Sequence, residues 1–358
     1  MAAQSNRPRA HRGAISNAAG RYDLVRDTVD DGWWHDPTAQ DTPLKTLVTE
    51  DASRTILARN TSPDVPFDRS INPYRGCEHG CIYCFARPTH AYLGLSPGLD
   101  FESRLFAKPR AAELLAQELR KKSYTCAPIA IGTNTDPYQP IERERRIMRG
   151  ILEVLSAFNH PVTITTKSAL IGRDVDILAA MAKKHLSSVG ISITTLDRDL
   201  ARQLEPRASV PAKRIETVRR LSEAGIPTTV MVAPIIPLVT DHELERILEA
   251  AAEAGAAGAH YILLRLPLEV AGLMEEWLKT HRPGKARHVL SLVSQNRGGK
   301  IYDAAWGRRM TGSGPFADLL AQRFRLATRK LGLDKPRRGL DSTLFHPPPQ
   351  VGDQLTLL

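Results

Sequence analysis

The sequence predicts an α/β fold built on a parallel sheet. Between about residues 70 and 270, short β-branched apolar runs alternate with longer amphipathic segments, the pattern of successive βα units. The composition agrees. A chain of 358 residues with 42% hydrophobic and 25% charged residues is an ordinary globular protein, long enough to bury a sizeable core without a disulfide or metal staple.

The strands follow in order. The first is 70–74, just ahead of a cysteine-rich stretch; the next is 129–134, Ile-Ala-Ile-Gly-Thr-Asn. Then come 162–166, 189–194, 228–233 and 260–266, each rich in Val, Ile or Thr. Helices are expected at 110–122, 142–158, 174–184, 211–224 and 241–254, where apolar residues recur at three- and four-residue spacing. Local punctuation supports these boundaries. Pro211 suits a first helical turn, and Ala-Gly-Ile-Pro at 224–227 reads as helix stop, turn and next strand. Six strands give six βα-type repeats, fewer than the eight of a closed barrel. After Leu266 the strand signal fades and helical runs follow at 269–280, 287–296 and 316–331.

Four regions result. Residues 1–65 are polar, rich in Pro, Asp and Arg and without sustained periodicity, so they read as a loosely ordered extension in which Trp33 and Trp34 pack onto something. Residues 66–270 carry the βα repeats, 271–335 form a basic helical region, and 336–358 are a Pro-rich, flexible and extended tail.

Several classes are excluded or disfavoured. Four cysteines are too few for a disulfide scaffold, and three fall within eight residues, which points to a reducing compartment and a metal or cluster site. Residues 1–22 contain no acid but lack the apolar core of a secretory signal. The most apolar stretch, 226–239, is interrupted by Pro227, Pro234 and Pro237 and is too short to span a bilayer. A cytoplasmic protein without membrane contact is expected. No nucleophile elbow, P-loop or dinucleotide-binding glycine fingerprint is present, which leaves hydrolase and nicotinamide readings without support.

The charge is unevenly placed. Residues 279–340 hold 15 Lys/Arg against 3 Asp/Glu, a net +12, so the rest of this +10 chain sums to −2. A localised basic surface is what a polyanion needs, nucleic acid first; a solvated basic face without a partner is the plain alternative.

The sharpest motif is Cys77-Glu78-His79-Gly80-Cys81-Ile82-Tyr83-Cys84. Thiolates are soft ligands for iron–sulfur clusters or zinc. Three cysteines with no fourth at matching spacing suit three irons of a [4Fe–4S] cube, with the fourth iron open to a small molecule. Zinc is the alternative, closed by His79, His90 or Cys126.

This array, following a first strand and opening six βα repeats, resembles the radical S-adenosylmethionine (SAM) superfamily. The wider string from Asn72 to His90 is similar to its branch near spore photoproduct lyase, often called DNA repair photolyase-like. The resemblance implies a partial (βα)6 TIM-type barrel, with a [4Fe–4S] cluster on Cys77, Cys81 and Cys84 in the loop after the first strand. It also implies SAM on the open iron, reductive cleavage to a 5′-deoxyadenosyl radical, and an electron donor such as flavodoxin or ferredoxin.

Barrel sites lie at the C-terminal ends of the strands, where polar residues cluster here. The candidates are Thr133-Asn134-Thr135-Asp136, Thr166-Lys167, Ser192 and Leu204-Glu205-Pro206-Arg207. By resemblance, Tyr83 lies against the adenine, Lys167 and Ser192 hold the SAM carboxylate, and Thr135 and Asp136 sit near its ribose or amino group. Glu205 and Arg207 are read as an ion pair in the pocket floor, and Pro234 and Pro237 as fixing a loop over the adenine. Spore photoproduct lyase places a hydrogen-donating cysteine at the end of the second strand, where this chain has Thr133. Cys126, ahead of that strand, reads as a plain buried thiol. Tyr138 is the candidate replacement donor.

The chain ends in Gln-Leu-Thr-Leu-Leu, from Gln354 to Leu358, which resembles the peptide that bacterial DNA-maintenance proteins insert into the sliding clamp. Three readings are open. The first is a radical SAM enzyme acting on nucleic acid, and the second is the same chemistry on a small molecule or protein. The third is a zinc-stapled nucleic-acid-binding protein.

Overall fold

The strand at Val162–Thr166 shows how these residues build the sheet. Val162, Ile164 and Thr166 are buried and the two threonines between them are half-buried, so β-branched side chains fill both pleats. The computed structural model describes residues 12–22, 44–336 and 338–349. Its strands are β1 (Leu47–Glu50), β2 (Leu57–Arg59), β3 (Arg69–Ile71), β4 (Tyr74–Arg75), β5 (Arg104–Ala107), β6 (Ile129–Ile131), β7 (Val162–Thr166), β8 (Ser187–Ser192), β9 (Thr228–Ile235) and β10 (Gly258–Leu263).

The main sheet has the order β10-β9-β8-β7-β6-β3-β2. Its six strands from β3 to β10 are parallel and lie in chain order, and β2 adds antiparallel to the β3 edge. This is the expected partial barrel of six βα units. A smaller sheet, β1-β5-β4, lies apart from it. The first predicted strand ends early. After Ile71 the chain leaves the main sheet at Asn72-Pro73, where proline has no N–H to donate, and Tyr74–Arg75 joins the small sheet instead.

The helices are α1 (Leu99–Ser103), α2 (Ala111–Leu119), α3 (Glu142–Arg145), α4 (Ile147–Ala157), α5 (Val175–Ala182), α6 (Arg198–Leu204), α7 (Pro211–Glu223), α8 (Leu244–Glu253), α9 (Val270–His281), α10 (Ala286–Gln295) and α11 (Pro315–Leu331). The helix expected over 142–158 is broken at Arg146, which has φ of 51°. The cause is tertiary. The buried Glu142 carboxylate accepts the amides of Ile147 and Met148, capping α4, while Tyr74 and Arg173 donate to it from outside the helix.

The described parts of the 1–65 extension are packed rather than loose. Arg12, Gly13, Ala14 and Ile15 are buried, and the amides of Gly13 and Ala14 donate to Glu102. Polar composition conceals this because the strap is held by backbone and carboxylate bonds, not by an apolar stripe. Likewise, the tail is pinned at residues 338–349. Phe345 packs among Tyr124, Phe158 and His160 at centroid distances of 5.5, 6.4 and 5.4 Å. Trp33, Trp34 and the 354–358 peptide lie outside the described residues. No helix among the described residues is long and apolar enough to cross a membrane.

Candidate active site

The six parallel strands end on one rim, and a cavity of about 300 Å³ opens there. Cys77, Cys81 and Cys84 line it from the loop after β3 and β4. Thr133, Thr135 and Asp136 reach it from β6, Thr166 and Lys167 from β7, and Ser192 from β8. Met231, Ala233 and Pro234 come from β9, and Ile262 and Arg265 from β10 and the residues after it.

The cysteine loop is braced through its carbonyls. Buried Arg87 donates to the Cys81 carbonyl at 2.9 Å and to the Gly80 carbonyl at 3.1 Å, and pairs with buried Glu102. Glu102 in turn holds the strap at Gly13 and Ala14. Gly80 requires its residue type, since φ is 65° and a Cβ would lie 2.7 Å from Glu102 Oε2. Glu78 accepts the amide of Ile141 and the hydroxyl of Thr46 and pairs with Arg207 at 2.9 Å. The sequence does not mark Glu102 or the strap as part of the site, and although Arg87 falls inside the Asn72–His90 string, an Arg and a Glu 15 residues apart have no spacing signature.

Burial pushes all three thiols up: Cys77 well above its ordinary range, Cys81 to about 12, and Cys84 upward as well. Thiolates in such a place need a bound cation beside them, which is the donor chemistry of a cluster or metal. Of the three candidate fourth ligands for zinc, only His79 lines the cavity. His79 Nδ1 faces Asp136 Oδ2 at 3.3 Å, and His90 Nε2 meets the Arg104 carbonyl at 2.9 Å. Cys126 precedes β6, at the opposite end of the strand from the cavity, and does not line it. Three thiols lining one cavity fit a cluster with one open iron.

Opposite the thiols stands a cation. Lys167 Nζ donates to Ser192 Oγ at 2.9 Å, and Ser192 donates to the Ala233 carbonyl at 3.0 Å. The same ammonium lies 5.9 Å from the Tyr83 ring centroid. Lys167 is therefore pre-positioned as a point charge with no carboxylate of its own in ion-pair contact among the described residues. Asp136 is structural as well as lining. It accepts from the Thr166 hydroxyl and the Lys167 amide, both at 2.7 Å. Burial opposes its charge, but His79 and these donors hold its carboxyl down to about 2. Thr135 donates to the Tyr74 carbonyl at 2.8 Å.

Two expectations are corrected. Glu205 does not pair with Arg207. It pairs with buried Arg214 and accepts from Tyr83 and Thr194, forming a sealed network behind Tyr83, while Arg207 pairs with Glu78. The residue two positions on points away, toward the cysteine loop, whereas α7 returns Arg214 to the strand ends. Tyr138 does not reach the cavity. It is fully buried on the helix side, donating to Asp174 at 3.0 Å, and is set aside as a hydrogen donor.

These features coincide with the comparisons. A family model described as the radical SAM superfamily matches residues 71–251, just over half of the chain, and the chain belongs to that superfamily. An uncharacterized protein of Mycobacterium tuberculosis is 39% identical over 221 residues, covering 61% of this chain and 65% of the relative. An uncharacterized protein of Methanocaldococcus jannaschii is 30% identical over 174 residues, covering 48% and 62%. The matches thus span under two thirds of these relatives' length. Among solved structures, spore photoproduct lyase complexed with dinucleoside spore photoproduct is similar in fold, with a TM-score of 0.58 and 16% identity over 79% of each chain.

Proposed function

We propose that this radical SAM enzyme holds a [4Fe–4S] cluster on Cys77, Cys81 and Cys84 and binds SAM between that loop and the strand ends. One observation carries the reading: three buried thiols and the poised Lys167–Ser192 pair line the same cavity. With cluster and SAM in place, the chemistry supplied is one-electron cleavage of SAM to a 5′-deoxyadenosyl radical, driven by a donor such as flavodoxin or ferredoxin. The chain's own residues do the rest. Lys167 and Ser192 orient the carboxylate of the methionine part. Tyr83, fixed by Thr194 and Glu205, supplies an aromatic wall. Buried apolar packing around Cys81, Ile82 and Tyr83 excludes water from the reacting centre.

The substrate reading is nucleic acid, with repair or modification of a base as the reaction class, lyase-like by similarity of fold to spore photoproduct lyase complexed with dinucleoside spore photoproduct. The basic segment supports it: Lys285, Arg287, Lys300, Arg325, Arg329 and Lys330 are exposed. The hydrogen-atom donor is not a cysteine at the second strand, where Thr133 stands.

The test is anaerobic reconstitution with iron and sulfide, then dithionite and SAM, with 5′-deoxyadenosine as the readout. Product from wild type and none from Cys81→Ala is expected. Zinc uptake without iron would overturn the reading.

A further inference from the structure

Three arginines converge where the chain after α10 folds back on the open end of the sheet. Two are fully used. Arg297 is buried and donates to four carbonyls, those of Leu263, Leu264, Arg308 and Arg309, at 2.8–3.2 Å. Arg309 pairs with Asp64 at 2.5 Å and donates to Ser62.

Arg265 is different. It lines the cavity, its guanidinium lies 4.8 Å from the Phe85 ring centroid, and its Nη1 meets only the sulfur of Met310, a weak acceptor, at 2.9 Å. Its Nε is buried without a partner. No carboxylate among the described residues lies in ion-pair contact with it; Asp64, which acts on it from farther off, is committed to Arg309. Burial and the neighbouring Arg309 depress its affinity for its proton, and a hydrogen bond with Tyr302, a neutral phenol rather than an acid, partly offsets this. A half-buried guanidinium that lines a cavity, with spare N–H groups beyond Met310 and Tyr302 and no acid paired to it, suits an anion.

SAM cannot account for it. Its single carboxylate is claimed by Lys167 after β7, and two further strands, β8 and β9, separate Lys167 from the strand that Arg265 follows. On that reading of the SAM site, we propose that Arg265 is the receptor for an anionic oxygen group of the substrate, a phosphodiester. The phosphodiester is favoured by what surrounds it. Phe85 and Trp306 are 43% and 62% exposed, and Trp306 lies between Lys300 and Arg308 on the segment that supplies Met310. Exposed aromatic faces interleaved with cations suit a strand with unstacked bases, and the planar guanidinium matches the two free oxygens of a phosphodiester.

The test uses the full-length, anaerobically reconstituted protein with SAM present and fluorescein-labelled octathymidylate as probe, read by anisotropy at fixed salt. Arg265→Gln is expected to weaken probe binding about 10–100-fold, the equivalent of losing charge-assisted hydrogen bonds. Arg265→Lys is expected to fall between and guards against a folding defect in the glutamine variant. Radiolabelled SAM binding should be unchanged in Arg265→Gln and weakened about 10-fold or more in Lys167→Ala. Wild-type affinity for the probe in both Arg265 variants overturns the proposal. Loss of SAM binding in Arg265→Gln also overturns it, assigning Arg265 to SAM. If hippurate, a free carboxylate, binds in an Arg265-dependent way and octathymidylate does not, the phosphodiester is wrong. Failure of iron uptake, or SAM binding indifferent to Lys167, refutes instead the reading on which this rests.

Discussion

Glu205 shows how much of the site depends on one buried carboxylate. Burial raises its pKa, but Arg214, Lys167 and Tyr83 hold it down to about 2, below the ordinary glutamate range. A depressed carboxyl contributes stability above its unfolded pKa, and that contribution fades as pH falls from about 4.5 toward 2. Glu205→Gln leaves Arg214 buried without its counter-charge, so at pH 7 it should cost about 3–5 kcal/mol of unfolding free energy. Against wild type, the gap in thermal stability should narrow in acid; a gap constant from pH 7 to pH 3 would contradict the pairing. Lys167→Ala should weaken SAM binding about 10-fold or more while leaving the visible absorption of the reconstituted cluster intact. Cys126→Ala should spare both. Tyr138 illustrates why residue roles are the least legible layer. A phenol just past a strand end is chemically able to donate hydrogen, but which side of the strand it faces is set by Asp174, 36 residues on.

At the scale of elements, the sequence reveals what repeats and hides what is held by distant partners. The strands β7 and β9 begin where β-branched runs predict them because the local pleat and the buried sheet want the same residues. The break at Arg146 is invisible in the helical pattern, since the cap on α4 comes from Glu142 and is fixed by Tyr74 and Arg173. An arginine with φ of 51° is strained, so Arg146→Gly should raise stability by about 0.5–1 kcal/mol, measurable by urea denaturation. The strap gives the opposite case. A Cβ on Gly13 would lie 1.8 Å from the Gly80 carbonyl oxygen, a backbone atom of the cysteine loop that cannot swing aside. Gly13→Ala is therefore expected to lower both thermal stability and the iron content reached on reconstitution. An unchanged iron content would mean that the strap does not brace the loop. The candidate ligands were readable from C-x3-C-x2-C alone, whereas their bracing was not.

For the whole molecule, six strands leave a barrel with two open edges, and unpaired edges invite association with other chains. Each edge of this sheet carries an added segment. On one side β2 pairs antiparallel with β3. On the other, the Leu263 amide at the end of β10 donates to the Met310 carbonyl at 2.9 Å, and Arg297 gathers the carbonyls of both segments. The two sides are then tied together. Asp64, in the loop between β2 and β3, accepts the Gly307 amide at 2.7 Å and pairs with Arg309. The segment from 297 to 310 thus spans the gap beside the cavity, and the C-terminal region becomes part of the site rather than an appendage. The pair is mostly buried, with side-chain exposures of 20% and 6%, so its coupling should exceed that of a surface ion pair. A double-mutant cycle with Asp64→Ala and Arg309→Ala is expected to give about 1–3 kcal/mol of interaction free energy by chemical denaturation. Each single variant should also make the 297–310 segment more susceptible to limited proteolysis. Additive effects with unchanged cleavage would mean that the two edges close independently, and that the ion pair is not what ties them.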